Sequence, residues 1–191
     1  MSKHPLLHGA RGERHVLLGN EAIVRGALEA GVNMVTCYPG TPSSEVPDTF
    51  YKLGGEGRYK IEYAVNEKVA FEVAAGAALG GAQALVTMKH VGLNVAADPL
   101  FTAAYTGVGG GLVVLAADDP GMYSSQNEQD SHHYARAAHI PMLDPADSAE
   151  ALRFTREAYE LSERFDVPVF IRSTVRVSHT KTPVEPGPRA Q

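Results

Sequence analysis

Apolar and polar segments alternate along this chain in a way that predicts helices and strands in regular turn. Short, continuously apolar segments are typical of strands buried on both faces, and longer capped segments between them are typical of helices. The predicted strands span 34–38, 60–63, 84–88, 111–117 and 167–172. The predicted helices span 20–30, 43–53, 66–80, 93–105 and 148–165, capped by Asn20, Ser43 or Ser44, Asn66 and Ser148. The pattern predicts an α/β fold with a doubly wound, mostly parallel open sheet and helices on both faces.

The two ends of the chain differ from this middle part. Residues 1–14 are polar and rich in His and Arg, which predicts a flexible N-terminal arm. Residues 181–191 are rich in proline, which predicts a linker or a frayed end. The folded domain is therefore expected to occupy residues 15–180.

Composition and charge limit the partners and the compartment that are expected for this domain. A length of 191 residues fits one domain, and a net charge of −5 argues against nucleic acid or an anionic membrane as the main partner. Cys37 is the only cysteine, so neither an internal disulfide nor an iron–sulfur cluster held by this chain alone is expected. The sequence has no apolar run of about 18 residues and no secretory signal, which predicts a cytoplasmic protein with no membrane partner.

Ligands of doubly wound folds lie beyond the carboxyl ends of the strands. That rule directs attention to the segments 38–45, 64–68, 88–94 and 117–130. The sequence has no G-x-G-x-x-G after a strand, no P-loop and no G-x-S-x-G, which argues against a dinucleotide site, a nucleoside triphosphatase and a hydrolase. No group of residues has the spacing of a zinc site, and no metal ligand is predicted in this chain.

The segment Tyr38–Glu45 leaves a strand and enters a helix. Gly40 permits an unusual turn, and the two prolines stiffen it. The Thr41 hydroxyl and the free amides at the start of the helix suit an anionic group. The structural alternative is an ordinary turn capped by serine.

Glu67 is expected in the first turn of a helix whose next two turns are almost entirely apolar. A carboxyl group in such a setting suits proton exchange with a ligand. The alternative is a carboxylate that only complements the helix dipole.

Lys89 and His90 follow a buried strand, where they would meet an anionic substrate, and histidine can also exchange protons near neutral pH. The alternative is a solvated loop in which His90 or Asn94 helps to cap the next helix. The long polar segment 118–133 follows the clearest strand, and both a functional loop and a disordered one remain open.

Five blocks of the sequence, taken together, resemble the large (alpha) subunit of indolepyruvate:ferredoxin oxidoreductase. The blocks are Gly19–Ile23, Tyr38–Glu45, Val65–Ala70, Val86–Asp98 and Ala117–Gly121 with Ser124–Asp130. They occur in order over residues 15–180, which makes the resemblance far more specific than any single motif. It covers only the pyrimidine-binding domain of that family.

The resemblance implies a thiamine-diphosphate-dependent 2-oxoacid:ferredoxin oxidoreductase that converts an aryl pyruvate to an acyl-CoA. It implies thiamine diphosphate with Mg²⁺, whose diphosphate and metal ligands lie on a partner domain, and iron–sulfur clusters and CoA on partner chains. The expected partners are a diphosphate-binding domain or subunit and an iron–sulfur subunit or ferredoxin, in a homo- or hetero-oligomer. The isolated chain is expected to be inactive.

The resemblance also implies roles for single residues. Glu67 is expected to be the catalytic carboxylate, facing N1′ of the aminopyrimidine and supporting proton removal from C2 of the thiazolium. Thr41 is expected to contact the substrate carboxylate. The expected cofactor contacts are Glu67, Gly40, Thr41, Val91, Gly92 and Asn94, and the expected substrate contacts are Thr41, Lys89 and His90.

Departures from the family pattern leave alternatives open. Related pyruvate enzymes carry a substrate-holding arginine after the fourth strand, where this chain has Ala117-Asp118-Asp119, so substrate handling falls to Lys89, His90 or a partner. The family's Gly-Asp-Gly metal motif and cysteine-rich end are missing from the sequence. One alternative is the alpha subunit of a split thiamine-dependent 2-oxoacid decarboxylase, and another is a non-catalytic domain that retains the fold.

Overall fold

A six-stranded parallel sheet runs through the middle of the computed structural model, which describes residues 5–7, 12–54 and 58–190. The strands are β1 (His15–Leu18), β2 (Met34–Cys37), β3 (Lys60–Tyr63), β4 (Ala84–Lys89), β5 (Leu112–Asp118), β6 (Met142–Leu143), β7 (Val169–Thr174) and β8 (Lys181–Val184). The helices are α1 (Gly19–Ala30), α2 (Glu45–Leu53), α3 (Glu67–Leu79), α4 (His90–Thr106), α5 (His132–Ala138), α6 (Ser148–Phe165) and α7 (Val175–His179). The order in the sheet is β3-β2-β4-β5-β7-β6, and β1 pairs with β8 in a separate antiparallel ribbon.

Both faces of the sheet are covered by helices. Side chains alternate along each strand, so Leu85 packs into a core with α1, α2 and α6, whereas Val86 packs into a core with α3, α4 and α5. The two cores lie on opposite sides of one sheet, and the predicted doubly wound α/β fold is confirmed.

The strand order opens a crevice between β2 and β4. From β2 the chain continues to β3 at the edge of the sheet, and β4 then pairs on the other side of β2. Connections that leave two neighbouring strands in opposite directions create a crevice at their carboxyl ends. The segments that follow Cys37 and Lys89 border this crevice.

Three helix starts differ from the sequence predictions. Leu18 is the N-cap of α1, so Asn20 lies inside the first turn and is not the cap. Asp147, not Ser148, caps α6, because its carboxylate accepts a hydrogen bond from the Glu150 amide at 2.9 Å. The helix α4 begins at His90, three residues earlier than predicted. The predicted cap of α3 is confirmed, since the Asn66 side chain accepts from the Val69 amide.

The two terminal segments contact the domain. The segment predicted as a linker or frayed end instead forms β8 over Lys181–Val184, which pairs with β1. Pro183 is tolerated in this strand because some backbone amides of a two-stranded ribbon take no part in the hydrogen bonds between the strands. The Gly187 amide donates to Glu29 Oε1 at 2.6 Å, so the contact continues beyond this strand. Within the predicted N-terminal arm, residues 1–4 and 8–11 lie outside the described residues, and Leu6 and Leu7 are buried.

Candidate active site

The turn after β2 forms one wall of the crevice. Ser43 donates two hydrogen bonds to the Gly40 carbonyl, from its amide at 2.9 Å and from its hydroxyl at 2.8 Å, so this serine closes the turn. A Cβ atom on Gly40 would lie 2.9 Å from Lys89 Cδ, so a larger residue here would displace the lysine side chain. Thr41 is exposed, and its hydroxyl forms no hydrogen bond with any described residue. The turn therefore leaves the Thr41 side chain exposed and without a protein partner among the described residues.

Glu67 begins α3 and packs against the first turn of α4. Its side chain is buried, with 8% of the residue exposed. A Cβ atom on Gly92 would lie 2.6 Å from Glu67 Cγ and 2.7 Å from Glu67 Oε1, so the carboxyl group keeps its present position only beside glycine. Among the described residues, nothing forms a hydrogen bond or ion pair with it. A helix-dipole role alone does not require such burial, since dipole-complementing carboxylates function at the surface.

Lys89 and His90 lie in different surroundings although they are adjacent. The Lys89 ammonium group donates to the Ser124 carbonyl at 3.0 Å and has no carboxylate partner within the described part of the chain. His90 is completely buried, and its Nε2 lies 3.1 Å from both the carbonyl and the side-chain oxygen of Asn127. Lys89 is therefore available to an anion, whereas His90 holds the loop above it.

The remaining predicted contacts on α4 also differ from one another. Val91 is half-buried and Gly92 is buried. The Asn94 amide forms a reciprocal pair with the Gln129 amide, with hydrogen bonds of 2.8 and 3.0 Å, and it also accepts from the Tyr134 hydroxyl. Asn94 is exposed, and both polar atoms of its side-chain amide are engaged by protein.

The long polar loop after β5 is an ordered structure that folds around Asp119. This carboxylate accepts hydrogen bonds from the amides of Tyr123 at 3.2 Å and Ser124 at 2.8 Å, and from the Ser125 hydroxyl at 2.7 Å. Burial raises the pKa of Asp119, but these hydrogen bonds favour the charged form more strongly, and the pKa lies below its usual range. The disordered alternative for this segment is therefore wrong.

Asp118 anchors the other end of this loop and forms an ion pair with an arginine that sequence reasoning missed. It is fully buried and accepts from the Ser131 amide at 3.1 Å and from Arg172 Nε at 2.6 Å. Arg172 also donates to Asp144 at 2.9 Å. An arginine thus reaches the end of β5 from the neighbouring strand, but two carboxylates already neutralise it. Its place at the carboxyl end of a predicted strand was the available signal.

The structure brings the predicted site residues to the carboxyl edge of β2, β3 and β4. Gly40 contacts Lys89, and Glu67 contacts Gly92. Sequence reasoning missed Asn127 and Gln129, whose contacts with α4 span more than 30 positions along the chain. Over the residues that the structure describes, no group of three or more His, Cys, Asp and Glu side chains is arranged to hold a metal ion. None of the described helices is long and apolar enough to cross a membrane.

A family model described as pyruvate flavodoxin/ferredoxin oxidoreductase, thiamine diphosphate-binding, matches residues 25–191. The match covers most of the chain. The chain belongs to this family. The resemblance drawn from the sequence blocks is thereby confirmed at the level of the thiamine diphosphate-binding domain.

Curated relatives of this thiamine diphosphate-binding domain extend the comparison. The indolepyruvate oxidoreductase subunit IorA of Methanothermobacter marburgensis is 51% identical over 189 residues, which are 99% of this chain and 31% of that protein. IorA of Archaeoglobus fulgidus is 52% identical over 95% of this chain and 30% of its own length. The 2-oxoglutarate synthase subunit KorA of the same organism is 28% identical over 90% of this chain and 51% of its own length. The chain therefore spans about a third of the IorA relatives that it matches.

A solved structure shares the fold of this domain. The 2-oxoglutarate:ferredoxin oxidoreductase from Magnetococcus marinus, solved with 2-oxoglutarate, coenzyme A and succinyl-CoA bound, superimposes with a TM-score of 0.83. The superposition covers 92% of this chain and 32% of that chain, at 18% sequence identity. At this identity the match supports the fold and not the residue roles.

Proposed function

We propose that this chain supplies the pyrimidine side of a thiamine diphosphate active site in an oxidoreductase that acts on an aryl pyruvate such as indolepyruvate. The observation that carries the proposal is the Glu67 carboxyl group. It is buried, it packs against Gly92, and it has no partner among the described residues. Its oxygens are not among the fully buried unpaired atoms of the described residues, so the carboxyl group remains accessible to a ligand.

The residues at the crevice fit the pyrimidine end of thiamine diphosphate. When bound, the cofactor supplies a carbon nucleophile that attacks the carbonyl of a 2-oxoacid. Glu67 would face N1′ of the aminopyrimidine and exchange a proton there, and its carboxyl group packs against Gly92. The backbone at Gly40, Val91 and Gly92 forms the surface that the ring contacts.

Two residues are assigned to the substrate carboxylate. Within the part of the chain that the structure describes, the exposed Thr41 hydroxyl has no hydrogen-bond partner, and the Lys89 ammonium group is held only by a carbonyl. A cation held by a neutral acceptor keeps its charge available for an anionic ligand. Arg172 is not assigned this role because Asp118 and Asp144 already neutralise it. His90 and Asn94 instead hold the loop 119–131 over the start of α4.

The rest of the active site is assigned to partners. The metal and the diphosphate group of the cofactor are held by a diphosphate-binding domain, and electrons leave through iron–sulfur clusters towards ferredoxin on partner chains. The names of the IorA relatives support an oxidoreductase over a decarboxylase that needs no electron acceptor. The intact carboxyl group of Glu67 argues against a non-catalytic domain.

Reconstitution tests this proposal. The chain is mixed with the subunits that copurify with it from native cells, and reduction of ferredoxin by an aryl pyruvate and CoA is followed. Activity that requires thiamine diphosphate, Mg²⁺ and both fractions supports the proposal. Decarboxylation without any acceptor would identify the split decarboxylase instead. Calorimetric titration of the chain alone with Mg²⁺ and thiamine diphosphate should give little heat, and tight binding there would contradict the division of the site.

A further inference from the structure

Asn20 lies beneath the turn that presents Thr41. It is completely buried in the first turn of α1. Its Nδ2 atom donates two hydrogen bonds, one to the Pro42 carbonyl and one to Glu45 Oε2, both at 2.9 Å. Both partners can only accept, so the chemistry itself fixes which end of the amide faces the turn.

The other end of this amide is not used for stability. Asn20 Oδ1 is buried and has no hydrogen-bond partner among the described residues. An unpaired buried oxygen is destabilising, and a leucine of similar size would avoid it. The amide is therefore retained for the two hydrogen bonds that it donates.

These two hydrogen bonds lead to different parts of the structure. The bond to Glu45 joins α1 to the start of α2, which is a structural link between helices. The bond to Pro42 fixes the Pro42–Ser43 peptide group, the second peptide group after Thr41, whose own side chain contributes no bond to the turn. The remaining bonds of the turn are local, from Ser43 to Gly40.

We propose that Asn20 is a positioning residue. By holding the Pro42 carbonyl, it fixes the position of the Thr41 hydroxyl so that this hydroxyl can contact the carboxylate of a 2-oxoacid. This inference rests on the proposed function, because it gives Thr41 the substrate contact. Asn20 belongs to helix α1 and lies 22 positions before Pro42 in the sequence. The inference therefore adds a residue of another element to the substrate site. A residue that acts only through Thr41 should change substrate affinity without changing how the cofactor is activated.

Two substitutions separate the structural bond from the positioning bond. In Asn20→Asp the residue keeps its shape but loses both donors and faces the Glu45 carboxylate. In Asn20→Asp combined with Glu45→Gln, the new amide at position 45 can donate to Asp, which restores the link between α1 and α2. The Pro42 carbonyl still has no donor in the combined variant. Glu45→Gln alone keeps an acceptor for Asn20 and serves as the control.

The assembled enzyme is compared across these variants by thermal melting, by KM for the aryl pyruvate and by kcat. Asn20→Asp should lower Tm and raise KM about tenfold, because a buried carbonyl loses its donor. The combined variant should recover most of the Tm but keep the raised KM, with kcat within about twofold of wild type. Recovery of both Tm and KM in the combined variant would reduce Asn20 to a helix link and overturn the proposal. If Asn20→Asp fails to fold, the combined variant alone gives the decisive KM.

Hydrogen–deuterium exchange of the Ser43 amide in the same assembled enzyme separates this proposal from the proposed function. Faster exchange in the combined variant with unchanged KM would mean that Asn20 does hold the turn but that Thr41 does not contact the substrate. That result overturns the substrate role of Asn20. Unchanged exchange and unchanged KM would overturn the positioning role itself.

Discussion

The two helical layers of this domain bury charged groups in opposite ways. In the layer of α1 and α6, Arg25 and Glu29 form an ion pair at 2.8 Å, and Arg25 also donates to the carbonyls of Leu6 at 2.6 Å and Gly187 at 2.5 Å. In the layer of α3 and α4, Glu67 is buried with no partner among the described residues. The first arrangement holds both terminal segments on the domain, and the second leaves one carboxyl group ready for a ligand.

Two glycines show the same contrast. A Cβ atom on Gly26 of α1 would lie 2.5 Å from the backbone oxygen of Leu152, so the glycine allows two helices to approach closely. A Cβ atom on Gly92 of α4 would instead meet the Glu67 carboxyl group. Glycine sets helix packing in one layer and sets the position of a reactive group in the other. Substitutions that separate stability from activity therefore test the comparison.

The largest expected loss of stability comes from Arg25→Met. Removing Arg25 leaves the buried Glu29 carboxylate with only Arg156, 3.5 Å away, and the Gly187 amide as partners. This loss should lower the free energy of unfolding by at most about 3–5 kcal/mol. Urea unfolding of the purified chain measures it. Arg153→Met is the control, because Arg153 forms an exposed pair with Glu150 at 3.2 Å that is worth about 0–1 kcal/mol. Equal losses in both variants would remove the distinction between buried and exposed pairs.

The next largest effect is expected for Gly92→Ala, and it falls on activity. The new methyl group displaces the Glu67 carboxyl group, and a misplacement near 1 Å costs about 10²-fold in rate. Turnover of the assembled enzyme should fall by that factor while Tm changes little, since a side chain can move aside. Gly26→Ala is the matched control and should do the reverse, lowering stability by about 1–3 kcal/mol. Parallel losses of Tm and activity in both variants would contradict the contrast.

Thr41→Val should have a smaller effect that is confined to the substrate. Losing one hydrogen bond to a charged group costs about 1.5–3 kcal/mol, which should appear as a raised KM for the 2-oxoacid with little change in cofactor binding. Thr102→Val, twelve residues along α4 from His90, is the control for replacing an exposed threonine. Unchanged steady-state kinetics would show that Thr41 only shapes the turn.

The smallest effect concerns the loop around Asp119 at acid pH. Because the pKa of Asp119 is lowered in the folded state, its stabilising contribution is complete above the unfolded value and is lost as the pH falls through the folded value. Exchange of the Ser124 amide should therefore stay slow from neutral pH down to about pH 4 and rise only below it. If the loop opened already near pH 6, a titrating group other than Asp119 would control its stability.

The sequence predicts those features that depend on local pattern. The strands 84–88 and 111–117 are recognised because continuous apolar segments leave few alternatives, and Asn66 is recognised as a cap because a polar residue precedes a long apolar helix. The burial of His90 could not be predicted, because its partner Asn127 lies 37 positions away in a loop without periodicity. The ribbon of β1 and β8 was missed because the prolines around β8 indicated a linker, and β1 pairs only with β8.

Site residues divide in the same way. Glu67 and Thr41 are predicted as site residues from matched sequence blocks, and these roles remain predictions. Asn20 was recognised within such a block but interpreted as a helix cap, because its contact with Pro42 depends on the packing of α1 against the turn. Gln129 and Arg172 act through partners on other elements, and only the folded structure brings them together.

The central claim is that Glu67 activates the cofactor, and proton exchange at C2 of thiamine diphosphate tests it most directly. Glu67→Gln keeps the shape of the side chain but cannot exchange the proton, so exchange of the C2 proton for deuterium in the assembled enzyme should slow by about 10²- to 10⁴-fold. Glu72→Gln, an exposed position on the same helix, should leave the rate unchanged. If Glu67 only complements the helix dipole, the Gln variant loses about 0.3–1 kcal/mol of stability and keeps its exchange rate. A near-wild-type rate in a well-folded Glu67→Gln enzyme would contradict the account.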